Sequence, residues 1–218
     1  VYELSDTSEN LFNYQKDSFS VNKYDRTVFG TVNALLELNI EFDIGYEGMA
    51  DEVEISNGIV SFRGCQYDCV ILPMMGYCTS GVASMAREIA DSGVKTIFIN
   101  EIPEKEVDTG NNTGLAQAFG LEEQLKYVQD GAYNGTRHNI WLIKAEKVNR
   151  SENGEYKKAL LNVLGEEYIV LNLKHDGGIY SCHRRNKDMD VFFIANDRWE
   201  PVKVSGQIPE GMHAIFLD

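Results

Sequence analysis

An α/β fold is predicted for this sequence, a parallel sheet with helices on both faces followed by a short antiparallel β region. Three observations predict it. The stretch from Cys69 to Asn100 (CVILPMMGYCTSGVASMAREIADSGVKTIFIN) places a segment of helical period between two apolar runs of strand length. Single glycines and an Asn-Gly pair fall where elements should stop or reverse. From Tyr168 onward short strand-like runs follow one another, separated by turn clusters, as in an antiparallel region.

The first observation is a βαβ unit. Cys69 to Leu72 reads as a strand, and Pro73 with Met74-Met75-Gly76-Tyr77 as the loop at its carboxyl end. Val82, Met85, Ala86, Ile89 and Ala90 recur at helical spacing, and Gly93 ends that helix because a left-handed C-terminal position favours glycine. Val94 to Ile99 is rich in the β-branched and aromatic residues that suit a strand covered on both faces. Such units join parallel strands by a right-handed crossover.

Ahead of this unit, Val1 to Leu4 reads as the tail of a strand and Ser5 to Ser20 as a polar loop. Ser20 or Asn22 caps a helix running to about Leu38, with Tyr24, Val28, Val32, Leu35 and Leu36 on one stripe and Asn39 closing it. Ile40 to Ile44 is a strand, with Gly45-Tyr46-Glu47-Gly48 as the loop at its carboxyl end. Asn57-Gly58 turns a small hairpin. Beyond Asn100, Asp108 to Gly114 is an exposed loop, Leu115 to Phe119 and Leu121 to Val128 are helical, Asn139 to Ala145 is a strand and Glu155 to Leu164 is an amphipathic helix. Strands are then expected at Tyr168 to Leu173, Ile179 to Arg184, Val191 to Ala195, Val202 to Ser205 and Ala214 to Leu217. The change of character divides the chain into an α/β domain over 1–165 and an antiparallel β region over 166–218, the latter expected to open a β-sandwich.

Composition narrows the function. The 218 residues are 43% hydrophobic and 11% aromatic, which fits a packed globular core. Twenty basic against thirty-four acidic residues leave a net charge of −14, which argues against a backbone-driven grip on nucleic acid or on anionic lipid. A neutral ligand such as a carbohydrate is compatible with that charge. No apolar run approaches the roughly 20 residues of a membrane span, so neither nucleic acid nor membrane is an expected partner. The start Val-Tyr-Glu, without an initiator methionine or a signal segment, fits a processed protein or an excised piece, and a cytoplasmic or a secreted parent are both compatible.

Cys65, Cys69, Cys78 and Cys182 form no paired zinc pattern and read as reduced structural thiols, all but Cys78 in strand-like apolar surroundings. Neither a phosphate-cradling glycine loop nor a metal-ligand cluster is present, so no cofactor and no metal is expected. Cys78 stands between a strand and a helix, where a helix N-terminus lowers a thiol's pKa. A nucleophile also needs a base and an orienter, and none of His138, His175, His183 and His213 has a glutamate two positions on. Glu47 and Glu101 are read on loops leaving neighbouring parallel strands, where open α/β sheets bind ligands. His183-Arg184-Arg185 has the donors to hold an anion or a sugar hydroxyl, although exposed cations are usually just solvated, and Trp141 and Trp199 have faces on which sugar rings stack.

Two passages carry a family resemblance. They are ALLELNIEFDIGYEGM followed by GIVSFRGCQYDCVILPMMGYCTSGVASMAREIADSGVKTIFIN, and then GIYSCHRRNKDMDVFFIANDRWEPVKVSGQI. In this order they are similar to the region that follows the catalytic barrel in glycoside hydrolase family 106, the α-L-rhamnosidases and their relatives. The resemblance implies a flavodoxin-like domain related to class I glutamine amidotransferases, leading into a β-sandwich that opens with a His-Arg-Arg hairpin. It also implies that the acid and base carboxylates belong to the barrel, so no catalytic residue carries over to this chain. The expected function is that of a non-catalytic fragment of a carbohydrate-active glycoside hydrolase, structural or sugar-contacting, with the remainder of that enzyme as partner. Tyr46, Glu47, Cys78, Glu101, His183 and Arg184 are the residues expected to contact sugar. The alternative is a free-standing cysteine-dependent small-molecule hydrolase or amidotransferase using Cys78.

Overall fold

A computed structural model describes residues 18–56, 58–126, 129–148, 153–165, 173–174, 179–185, 190–196, 199–203 and 205–206. The expected strands at Val1 to Leu4 and Ala214 to Leu217, and nearly all of that at Tyr168 to Leu173, lie outside the described residues. What is described is a mixed α/β architecture with parallel and antiparallel sheets.

Helix α1 (Ser18–Glu37) ends where Asn39 turns to a left-handed φ of 54°. A 3-10 turn (Glu47–Glu52) then leads into a meander of β1 (Glu54–Ser56), β2 (Ile59–Phe62) and β3 (Cys65–Tyr67). Its second hairpin turns through Arg63 and Gly64 at φ 48° and 84°, the positive pair that a type I′ turn demands. The expected strand Ile40 to Ile44 does not form beyond an isolated bridge at Ile40. That stretch packs Ile40 and Phe42 on the α1 side of the core and reaches the surface at its end, with Ile44 70% exposed and Asp43 accepting a 2.6 Å hydrogen bond from the Tyr67 hydroxyl. Its alternation of apolar and polar residues is real, but among the described residues no ladder forms along it.

The βαβ unit is present. β4 (Cys69–Pro73) and β6 (Lys95–Ile99) run parallel in register, Cys69 opposite Lys95 and Pro73 opposite Ile99, joined through the short β5 (Tyr77–Cys78) and helix α2 (Ser80–Ser92). Gly93 ends α2 at φ 89°, ψ 0°. A two-residue strand β7 (Lys105–Glu106) pairs parallel with β5, and the short helices α3 (Leu115–Phe119) and α4 (Glu122–Leu125) follow. β8 (Gly131–Asn134) and β9 (Ile140–Lys144) complete the main sheet in the order β4-β6-β9-β8, with β8 antiparallel. Helix α5 (Gly154–Leu164) comes next.

Period-two alternation divides this sheet's side chains between two cores. Leu72, Phe98, Ile140 and Leu142 meet Val82, Ala83, Ala86 and Ala90 of α2 together with Leu115, Phe119 and Leu121. Ile97, Ile99 and Ile143 point the other way, onto Ala34 and Leu35 of α1 and Tyr156, Leu160, Val163 and Leu164 of α5. Helices therefore cover both faces. A third cluster packs the meander, through Val60, against Ile89 of α2 and Val94.

Toward the C-terminus, β10 (Leu173–Lys174) pairs antiparallel with β13 (Ser205–Gly206), so the strand expected at Val202 to Ser205 is displaced toward Gly206. β11 (Ile179–Arg185) and β12 (Asp190–Asn196) form a seven-residue antiparallel hairpin. It rests on the α/β body through Ile179, which is buried, and the Ser181 hydroxyl, 2.7 Å from Asn39 Oδ1.

Candidate functional site at the carboxyl edge of the parallel sheet

The N-terminus of α2 faces the carboxyl edge of the sheet, and here the chain satisfies its own donors. The first amides of a helix have no intrahelical acceptor and attract anions. Thr79 N–H donates to the Glu47 carboxylate, which the 3-10 turn brings across. Ser80 donates twice to Asp108, from its amide at 2.9 Å and its hydroxyl at 2.6 Å. The Thr79 hydroxyl oxygen accepts from Val82 N–H at 3.4 Å, the N-cap arrangement. The donors from Ser80 hold the Asp108 carboxyl below the usual carboxylate range. Two carboxylates thus occupy the place where a bound anion would sit.

Cys78 lies directly beneath. It is 1% exposed, packed in the core that α2 shares with the sheet, and its carbonyl accepts from Val107 N–H at 2.9 Å. Burial pushes its thiol up to about 12; Glu47, Glu106 and Asp108 push the same way, while Arg87 opposes them. The lowering expected from the helix N-terminus is reversed chiefly by burial, with the charges of Glu47, Glu106 and Asp108 adding to it. The thiol is protonated at neutral pH and is a poor nucleophile.

A second polar group forms at the ends of β4 and β6. Met74 and Asn100 both take positive φ, 43° and 66°, as the strands finish. Asn100 Oδ1 accepts from Ala145 N–H at 2.8 Å, which ties β6 to the end of β9. A Cβ placed on Gly76 would lie 3.1 Å from the Tyr24 hydroxyl and 3.2 Å from Glu101 Oε2, so glycine is what lets α1 and the β6 exit loop meet at this point.

The sequence-derived residues are only partly brought together. Glu101 does leave a parallel strand, but Glu47 does not, since the strand expected before it is absent; it reaches the edge as the first residue of the 3-10 turn. Tyr46 and Tyr77 are exposed, and Trp199 is wholly so, while Trp141 is half-buried against the α1 and α5 core. The backbones of His183 and Arg184 lie in β11 opposite Phe192 and Val191, and their side chains lie outside the described residues. No disulfide joins the four cysteines, and Cys65 is exposed, not buried as its apolar setting predicts, because it stands beside the turn of the second hairpin. Asp108, Ser80, Glu106 and Arg87 were not picked out from sequence. Of the residues at this edge, Thr79 carried a local signal, a hydroxyl one place before a helix.

Among the described residues no group of three or more His, Cys, Asp or Glu is placed to hold a metal ion, and no helix is long and apolar enough to cross a membrane. A scan against protein-family models, a search of curated proteins and a search of solved structures each found no match to this chain.

Proposed function

We propose that this chain is a non-catalytic α/β module of a carbohydrate-active glycoside hydrolase of the α-L-rhamnosidase type, serving the parent enzyme as architecture and as a sugar-contacting surface. The observation that carries the non-catalytic part is the state of Cys78. At the place where amidotransferases hold a nucleophile, this chain has a buried, protonated thiol under a helix N-terminus that Glu47 and Asp108 already cap. The parent's identity rests on the sequence resemblance alone, as does a flavodoxin-like arrangement of the full sheet. A polyhydroxy ligand fits better than an anionic one, because the carboxyl edge presents Glu47, Glu101, Glu106 and Asp108 while the exposed rings of Tyr46 and Tyr77 lie nearby in the chain.

The test is an activity and binding screen on the purified chain. The expected result is no turnover of aryl glycosides or of glutamine, with saturable binding of rhamnose-containing oligosaccharides weakened in the double variant Tyr46→Ala, Tyr77→Ala. Turnover of either substrate that disappears in Cys78→Ala would replace this reading with that of a cysteine-dependent hydrolase.

A further inference from the structure

We propose that residues 45–53 form a lid, hinged at Gly45, which closes over Cys78 and the first turn of α2 and opens without unfolding the rest of the chain. The reading does not depend on the identity of a parent enzyme. Three features of the segment carry it.

First, the lid is held to the body by side chains. Its described backbone hydrogen bonds, Met49 N–H to the Tyr46 carbonyl at 2.9 Å and Val53 N–H to the Ala50 carbonyl at 3.3 Å, stay within the segment. The loop on the other side of Cys78 differs: Glu104 N–H donates to the Gly76 carbonyl and Val107 N–H to that of Cys78, each at 2.9 Å, so a backbone ladder fastens it.

Second, the described contacts of the lid to the body are made by side chains, and at its far end Val53 packs on the cluster of Val60, Ile89 and Val94. Glu47 accepts the Thr79 amide; Glu52 pairs with Arg63 at 3.0 Å on the exposed side; between them Ala50 packs on the core that contains Cys78. No residue of the 3-10 turn is buried. Segments with little buried apolar surface open at a fraction of the global unfolding free energy, and an exposed ion pair adds little resistance.

Third, the hinge is free to turn. Gly45 has nothing within 4 Å of where a Cβ would stand, and the approach through Asp43 and Ile44 is exposed. At the far end the lid passes into β1, which the meander holds.

The geometry also provides its own lock. A Cβ on Gly81 would stand 3.9 Å from Ala50 Cβ, within the span that a disulfide requires. The experiment is site-resolved alkylation by N-ethylmaleimide under native conditions, followed by peptide mass spectrometry, on the wild type and on Ala50→Cys, Gly81→Cys with the 50–81 pairing verified. Cys69 is only partly buried on the opposite face of the sheet, so global unfolding is read from the slowest amide hydrogen exchange under the same conditions. The wild type is expected to label Cys78 at least about tenfold faster than that global rate, as local opening requires. The oxidised double variant is expected to lose that excess, and reduction to restore it. Cys78 labelling no faster than global unfolding in the wild type, or indifferent to the 50–81 disulfide, would overturn the lid.

Discussion

Gly30 stands inside α1, where replacing glycine by alanine ordinarily stabilises a helix by about 1 kcal/mol. Here the sign reverses. A Cβ at this position would overlap the Val148 carbonyl oxygen and come within 2.6 Å of Val148 Cγ1. Gly30→Ala is expected to destabilise the chain by about 2–3 kcal/mol in denaturant unfolding, since overpacking forces backbone to shift; a stabilised variant would mean that α1 and the 145–148 loop do not meet as described. The thiols make a second prediction at this scale. In an unfolded chain a cysteine loses its proton near about pH 8.5, whereas burial pushes Cys69 and Cys78 up to about 12. Between those values the folded chain binds more protons than the unfolded one. Stability is therefore fully present below the unfolded value and is lost as pH rises toward 12, by up to about 1.4 kcal/mol per pH unit for each thiol. Tyr156, whose pKa burial also raises, extends the loss at the alkaline end. Unfolding free energies measured across that range should fall less steeply in Cys69→Ala and Cys78→Ala. The sequence alone misses this chemistry because Glu47, Glu106 and Asp108 reach Cys78 from distant parts of the chain, and spacing carries no trace of their convergence.

Helix α2 and its two flanking strands were legible because each boundary has a local cause. Apolar period sets the elements, Thr79 caps the start, and Gly93 takes a left-handed conformation that side chains resist. Gly93→Ala should cost about 1 kcal/mol by that conformational penalty; no atom lies within 4 Å of the added methyl, so packing does not contribute. A neutral substitution would mean that the helix ends elsewhere. Where pairing is non-local the same reasoning fails. Ile40 to Ile44 has a strand's alternation but only an isolated bridge, and β5, β7 and β8 are too short or too polar to announce themselves, yet each is fixed by its neighbour. Cross-chain hydrogen bonds decide such elements, and the sequence does not record them.

At the level of the whole molecule, the sheet directs its carboxyl edge toward the region where ligands bind in α/β folds, but the chain has filled the first position there with its own carboxylates. The main sheet with helices on both faces follows from the period of its strands. The closure of the edge does not, because it depends on a 3-10 turn and a loop whose sequences look like ordinary polar linkers. With the edge closed in this way, the proposed non-catalytic reading turns on the protonation state of Cys78. The direct measurement is the pH dependence of Cys78 alkylation in the native chain, resolved by peptide mass spectrometry. Slow labelling at neutral pH is expected, with no titration midpoint below about pH 10, well above the ordinary thiol value. Rapid labelling at neutral pH with a midpoint below about 8 would contradict it and make Cys78 a nucleophile.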